Sequence, residues 1–247
     1  IPTLKILLPK KIFNWTYNQM YKMNMRRTWF LYCINSYFFG IFADKNRKKK
    51  YSLIRKILPY TLGGWKALDN AFEVVEFVEK NKIPGAIIEC GVAQGGSAAM
   101  MALTSRAYGN KERNFWFFDS YEGLPEPTTE DFNGSKTGDY IGVLVKGSCL
   151  GTIDQVSELL FDKLNLPKNK INLVKGWFQD TTPAYKEILD SIAILRLDGD
   201  WYESTKIPLI NFYSKISPGG CVIIDDYATC YGSKKAVDEF LEENSID

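Results

Sequence analysis

Four aspartates stand directly after apolar runs: Asp198 and Asp200 follow Ile192–Leu197, and Asp225 and Asp226 follow Cys221–Ile224. A mostly apolar run that breaks into carboxylates reads as a central parallel strand reaching the edge of its sheet. In open α/β sheets, ligands bind at that edge. Carboxylates converging there repel one another unless a cation sits among them. Oxygen ligands on neighbouring loops suit a hard ion such as Mg2+. Asp198, Asp225 and Asp226 could fill part of an octahedral shell and leave the rest to substrate oxygens and water. A solvated run of charge is the plainer alternative, but these acids directly follow strands that read as buried.

Three further segments could hold a ligand. Glu89-Cys90-Gly91-Val92-Ala93-Gln94-Gly95-Gly96-Ser97 joins an apolar run to a helical one. Its glycines permit a tight turn and close approach of a ligand, and the helix start offers free N–H groups. It is not the GxGxxG dinucleotide fingerprint, which would need glycine at Ala93. Asp119 ends the run Phe115-Trp116-Phe117-Phe118, where an acid commonly accepts hydrogen bonds from ribose hydroxyls; capping a helix is its structural alternative. Gly176-Trp177-Phe178-Gln179-Asp180-Thr181 could flank an adenine ring, or could equally be a core tryptophan with a capping aspartate.

Composition removes several chemistries. The 247 residues include no histidine, which excludes imidazole-ligated zinc and Ser-His-Asp or Cys-His catalysis. A general base must be Asp, Glu, Lys, Tyr or water. With 31 basic and 29 acidic residues there is no bulk attraction to nucleic acid, and none is expected as a partner. Five scattered cysteines without a CxxC pair read as free thiols in a reducing, cytoplasmic setting.

The elements that must position these groups alternate strand and helix. A helix is expected from Ala67 to a stop at Lys80–Gly85, then a strand at Ala86–Ile88 running into Glu89, and a helix over Gly96–Tyr108. Strands follow at Phe115–Phe118, Ile171–Val174, Ile192–Leu197 and Cys221–Ile224. Helices are expected at Val156–Leu164, at Pro183–Leu189, after an N-cap at Ser204, and at Gly232–Glu242. Pro125–Gly151 reads as a long functional loop, and Ser217–Gly220 as a turn. The alternation means a doubly wound, mostly parallel sheet with helices on both faces. Residues 1–58 read as a separate helical or irregular appendage, basic and aromatic, and residues 59–247 as the main domain. Trp29–Phe42 is shorter than the roughly 20 residues a span requires. It reads as a helix packed on the domain or a partner; membrane contact is not expected, although interfacial contact is the alternative.

Glu89–Ser97, the string Phe118-Asp119-Ser120-Tyr121-Glu122-Gly123-Leu124-Pro125, Lys175–Thr181, the string Leu195-Arg196-Leu197-Asp198-Gly199-Asp200-Trp201-Tyr202-Glu203-Ser204-Thr205, and Ser217-Pro218-Gly219-Gly220 leading into Asp225-Asp226-Tyr227 together resemble the macrocin O-methyltransferase (TylF-type) family. The resemblance runs from about Tyr60 to the last residue. It implies a Rossmann-like class I methyltransferase that uses S-adenosylmethionine and Mg2+ to methylate a hydroxyl of a small molecule, typically on a sugar. It implies metal binding by Asp198, Asp225 and Asp226, and Asp200 as candidate base with Asp198 beside it at the catalytic centre. It further implies a cofactor site formed by Tyr60, Thr61, Glu89, Cys90, Gly91, Val92, Ser97, Asp119, Ser120, Gly176, Trp177, Asp180 and Asp198. The segment before Tyr60 would then be a lid and a contact in a homo-oligomer. The sequence stops before the strands that normally complete such a sheet, so truncation is expected and Cys221–Ile224 should lie at an edge.

The expected chemistry agrees: the sulfonium methyl is already reactive, a dication acidifies the hydroxyl, and Asp200 takes the proton. Two other readings compete. One is a non-catalytic nucleoside-binding module that kept the fold. The other is a nucleotide-sugar or nicotinamide enzyme, against which the missing GxGxxG counts.

Overall fold

The computed structural model of the protein describes residues 10–109, 113–133 and 144–246. Five parallel strands form one sheet: β1 (Ala86–Cys90), β2 (Phe115–Asp119), β3 (Ile171–Lys175), β4 (Ile192–Leu197) and β5 (Ile216–Ile224). Their order is β3-β2-β1-β4-β5, so the winding reverses between β1 and β4. β1 and β4 are buried along their whole length, as near-continuous apolar strands covered on both faces should be.

The helices are α1 (Lys10–Gly40), α2 (Lys45–Ile57), α3 (Gly64–Lys80), α4 (Gly96–Tyr108), α5 (Ile153–Ser157), α6 (Phe178–Lys186), α7 (Tyr202–Phe212) and α8 (Tyr231–Glu243). One core lies between the sheet and α2–α5, centred on Phe72, Met100, Ile87 and Phe117. The second lies between the sheet and α6–α8, with Ile88, Leu195, Phe212 and Phe240. Ile54, Ile57 and Leu58 are fully buried in the first core, so α2 is anchored there on the appendage side of the expected 58/59 division.

Several local expectations shift. From Lys10 onward the appendage takes the helical of its two expected forms, as two helices with a short connection between them. The segment after Val156 becomes a wider, π-helical turn over Glu158–Lys163. α6 starts at Phe178, five residues before the expected Pro183, and contains that proline. The Asp180 and Thr181 N–H groups both donate to the Trp177 carbonyl at 3.0 Å, closing a first turn ahead of the proline, and the Thr181 and Thr182 hydroxyls donate back to the Trp177 and Phe178 carbonyls at 3.0 and 2.8 Å. α7 starts at Tyr202 without a cap from Ser204. Its first N–H is instead accepted by Asp131, 71 residues away, at 2.7 Å. The expected turn Ser217–Gly220 is absorbed into β5, where the register against β4 shifts between Ile192 and Ile194. Within the Pro125–Gly151 loop, residues 134–143 lie outside the described residues. β5 is an edge among the described strands and is partly exposed.

Candidate active site

Strand pairing delivers the acids to one place. Cys90 pairs with Leu197, and Leu197 with Ile224. The ladder then continues one step past the strands: Asp198 N–H donates to Cys90 O at 2.9 Å, and Asp225 N–H to Leu197 O at 3.0 Å. Gly91, Asp198 and Asp225 therefore stand side by side at the carboxyl ends of β1, β4 and β5, where the winding reverses. Asp198, Asp225 and Asp226 each offer an oxygen within 4.8 Å of the others. Asp226 also accepts the Asp200 N–H at 3.0 Å, which draws the β4 and β5 loops together. Asp200 adopts φ 62°, a left-handed conformation uncommon outside glycine and concentrated at functional sites.

A residue that sequence reasoning passed over joins them. Arg196 sits inside β4, 2 % exposed. Its Nη1 donates to Glu89 Oε1 at 2.8 Å and to Asp198 Oδ2 at 2.7 Å, and its Nη2 reaches Asp225 Oδ1 at 2.9 Å. The signal was present: an arginine within Ile192–Leu197 must find carboxylates, because a buried charge without a partner is costly. One guanidinium does not balance five acids. Burial, then the Asp198 and Asp200 charges, push Asp226 up to about 9. Burial and Asp198 push Asp200 up to about 7. Glu89 rises to about 7, mainly by burial, against the pull of Arg196. Asp225 is also raised by burial, opposed by Arg196.

The turn after β1 is shaped by Asp119. Its Oδ2 accepts the Val92 and Ala93 N–H groups at 2.7 and 3.0 Å, and Oδ1 accepts the Tyr121 N–H at 2.6 Å. Asp119 thus clasps the β1 and β2 loops and keeps some spare acceptor capacity. Gly91 has φ +97°, and a Cβ there would lie 1.9 Å from the Asp198 carbonyl oxygen. Only glycine lets the two tips approach this closely.

These loops line an open cavity of about 1760 Å³. Of the sequence-predicted residues, Thr61, Gly91, Asp119, Ser120, Gly176, Trp177, Asp198, Asp200, Asp225 and Asp226 line it. Tyr60, Val92 and Ser97 line a narrow adjoining crevice at the start of α4, which also borders Thr61, Gly63 and Asp198. Glu89 and Cys90 are fully buried and line neither space. Glu89 is packed behind the crevice, accepting from Ser97 Oγ and Arg196, with its Oε2 left unpartnered. Asp180 is exposed at the first turn of α6 and lines neither space. Tyr21, Met25, Arg26 and Trp29 of α1 and Leu144–Leu150 also line the cavity; they fall in the segments expected as a lid and as a functional loop, although none of them is singled out by residue.

A doubly wound parallel sheet, a glycine turn at its switch point and acids on the next two strand tips define a Rossmann-like α/β methyltransferase. The macrocin-O-methyltransferase (TylF) family model matches residues 17–247, and the chain belongs to that family; it is an O-methyltransferase. It is 36% identical over 187 residues to demethyldecarbamoylnovobiocin O-methyltransferase of Streptomyces niveus, covering 76% of this chain and 70% of that one. It is 38% identical over 172 residues to 8-demethyl-8-(2,3-dimethoxy-alpha-L-rhamnosyl)-tetracenomycin-C 4'-O-methyltransferase of Streptomyces olivaceus, covering 68% and 63% of the two chains. Among solved structures, the O-methyltransferase NovP superposes with a TM-score of 0.65 at 35% identity, covering 76% of this chain and 75% of that one. The calicheamicin methyltransferase CalS11 shares the fold, with a TM-score of 0.56 at 18% identity over 91% of this chain and 83% of that one.

Proposed function

We propose that this methyltransferase moves a methyl group from S-adenosylmethionine to a hydroxyl of a sugar or similar vicinal diol, with Mg2+ held by Asp198, Asp225 and Asp226. One observation carries the metal assignment: three carboxylate oxygens from two neighbouring strand tips converge within 4.8 Å, and the nearby charge is negative beyond what Arg196 balances. The donor set is all oxygen, which fits a hard dication. The cofactor assignment follows from the family. It is supported by the narrow crevice at the start of α4, bordered by Tyr60, Thr61, Val92, Ser97 and Asp198. The acceptor class draws on the relatives, one of whose names places its target on a rhamnosyl group.

The sulfonium of S-adenosylmethionine supplies an activated methyl group. Mg2+ supplies positive charge that favours ionisation of an adjacent hydroxyl. The chain's own part is alignment and proton removal. Asp198 and Asp225 are held at fixed positions by Arg196 and by the backbone ladder, so the site is organised in advance. Asp200 takes the acceptor proton on its carboxylate; Cys230 Sγ approaches only Oδ1, at 3.7 Å. A proton affinity near neutral suits a general base. Trp177 and the Gly176 turn would face the cofactor, and Trp29 and Tyr21 of α1, which line the same open cavity, would face the acceptor.

Asp225→Asn is expected to reduce kcat/KM by about two to three orders of magnitude and to remove the heat of Mg2+ binding in titration calorimetry. S-adenosylhomocysteine should still bind. Full turnover in excess chelator would sink the metal assignment.

A further inference from the structure

α1 has two apolar faces, and only one is used. Tyr21, Met25, Trp29, Tyr32 and Ser36 recur at helical spacing on the inner face. They close the cavity or pack on the domain. On the opposite side Met20, Met23, Phe30, Ile34, Phe38 and Ile41 recur at spacings of three, four and seven residues, and all are exposed. An exposed apolar stripe of this length marks an interaction surface.

Charge selects the occupant. Residues 1–58 hold thirteen Lys and Arg and a single acid, Asp44, while residues 59–247 hold 18 basic and 28 acidic residues. The side chain of Asp44 caps α2, accepting the Arg47 N–H at 2.8 Å. The segment therefore carries a formal charge of +12, with Arg27 inside the exposed stripe and Lys45, Arg47 and Lys48 just past its end. A symmetric contact between two copies through this face would bring two such segments together, against their repulsion. The tip of the helix is also not a flat seam. Phe38, Phe39 and Phe42 point around it, and Phe42 is 84 % exposed. A fluid apolar boundary accommodates such a tip better than a shaped groove does. No helix of the described residues is long and apolar enough to cross a membrane, so the contact is with a surface.

We propose that the outer face of α1 and the Phe38–Phe42 tip dock the protein on an anionic lipid surface. The aromatic side chains enter the headgroup boundary and the flanking lysines and arginines meet the lipid charge. The test uses the full chain and sedimentation with phosphatidylcholine vesicles, with and without phosphatidylglycerol. Binding is expected with the anionic vesicles, at least about tenfold tighter than with neutral ones, and it should weaken as salt is raised. Phe38→Ser with Phe39→Ser should abolish it, and Lys45→Glu with Lys48→Glu should weaken it by about tenfold or more. Both variants should keep their affinity for S-adenosylhomocysteine, which verifies that they fold and separates this result from the methyltransferase assignment. Three results would overturn the proposal. The first is no binding to anionic vesicles; the second is binding that survives the double serine variant. The third is a stable oligomer in light scattering that the serine variant disperses, which would give the face to a second copy.

Discussion

A guanidinium sealed inside a strand is tolerable only with opposite charge against it, and Arg196 has three carboxylates there. Arg196→Met should destabilise the protein by about 3–5 kcal/mol, the usual consequence of breaking a buried ion pair from one side, read by chemical denaturation. Arg196→Lys keeps the charge but loses the planar fork that spans Asp198 and Asp225. It should weaken Mg2+ binding more than S-adenosylhomocysteine binding, and equal losses in calorimetry would reduce Arg196 to a packing role. The raised acids make a further prediction for the metal-free protein. Asp200, Glu89 and Asp226, pushed up to about 7, 7 and 9, hold protons in the folded state that the unfolded chain releases near pH 4. Where the folded state binds more protons, stability falls as pH rises. The melting temperature without metal should therefore be highest at the acidic end of this window and decline from about pH 4 towards pH 9. Saturating Mg2+ should flatten that decline at its alkaline end, since the ion replaces the protons. A metal-free melting curve indifferent to pH would contradict the uncompensated charge.

Elements carry the site through contacts between segments distant in sequence. Asp131, 2 % exposed, accepts the Tyr202 N–H that opens α7 and the Thr128 N–H of its own turn, both at 2.7 Å. It thereby pins one end of the Pro125–Gly151 loop above the β4 tip. Asp131→Ala should cost about 2 kcal/mol, at the upper end for losing a helix cap, and should raise the acceptor KM as that loop wall loosens. Unchanged thermal melting together with an unchanged KM would remove Asp131 from this role. The same contact explains why Ser204 misled. Ser204 is a good local cap, but a buried carboxylate from another loop starts the helix three residues earlier. α6 likewise begins ahead of Pro183, which local propensity reads as a first-turn residue, because the Asp180 and Thr181 N–H groups close a turn on the Trp177 carbonyl.

At the scale of the molecule, α1 contributes a wall of the cavity through Tyr21, Met25, Arg26 and Trp29. Trp29 lines it while donating from its indole N–H to Arg55 O at 3.1 Å. Trp29→Ala should raise the acceptor KM by about tenfold, roughly the effect of losing part of one buried aromatic contact, and leave cofactor affinity intact. If cofactor affinity falls instead, α1 closes the other half of the cavity. The sequence by itself determined the alternation of strands and helices, because buried parallel strands are apolar throughout and their helices carry one-sided patterns. It also determined the acids at the ends of β4 and β5, since a carboxylate after a buried strand has few places to be but the sheet's edge. It did not reveal that Glu89 and Cys90 are packed behind the crevice or that Asp180 faces solvent. Motif position names a turn, but the side chain's direction depends on what packs against it. Nor did it reveal the pairing of Arg196 or the two-sided use of α1, because both depend on which distant surfaces meet. Only the tertiary structure brings residues 89, 196, 198 and 225 within hydrogen-bonding reach, through strand register fixed by the burial of both sheet faces.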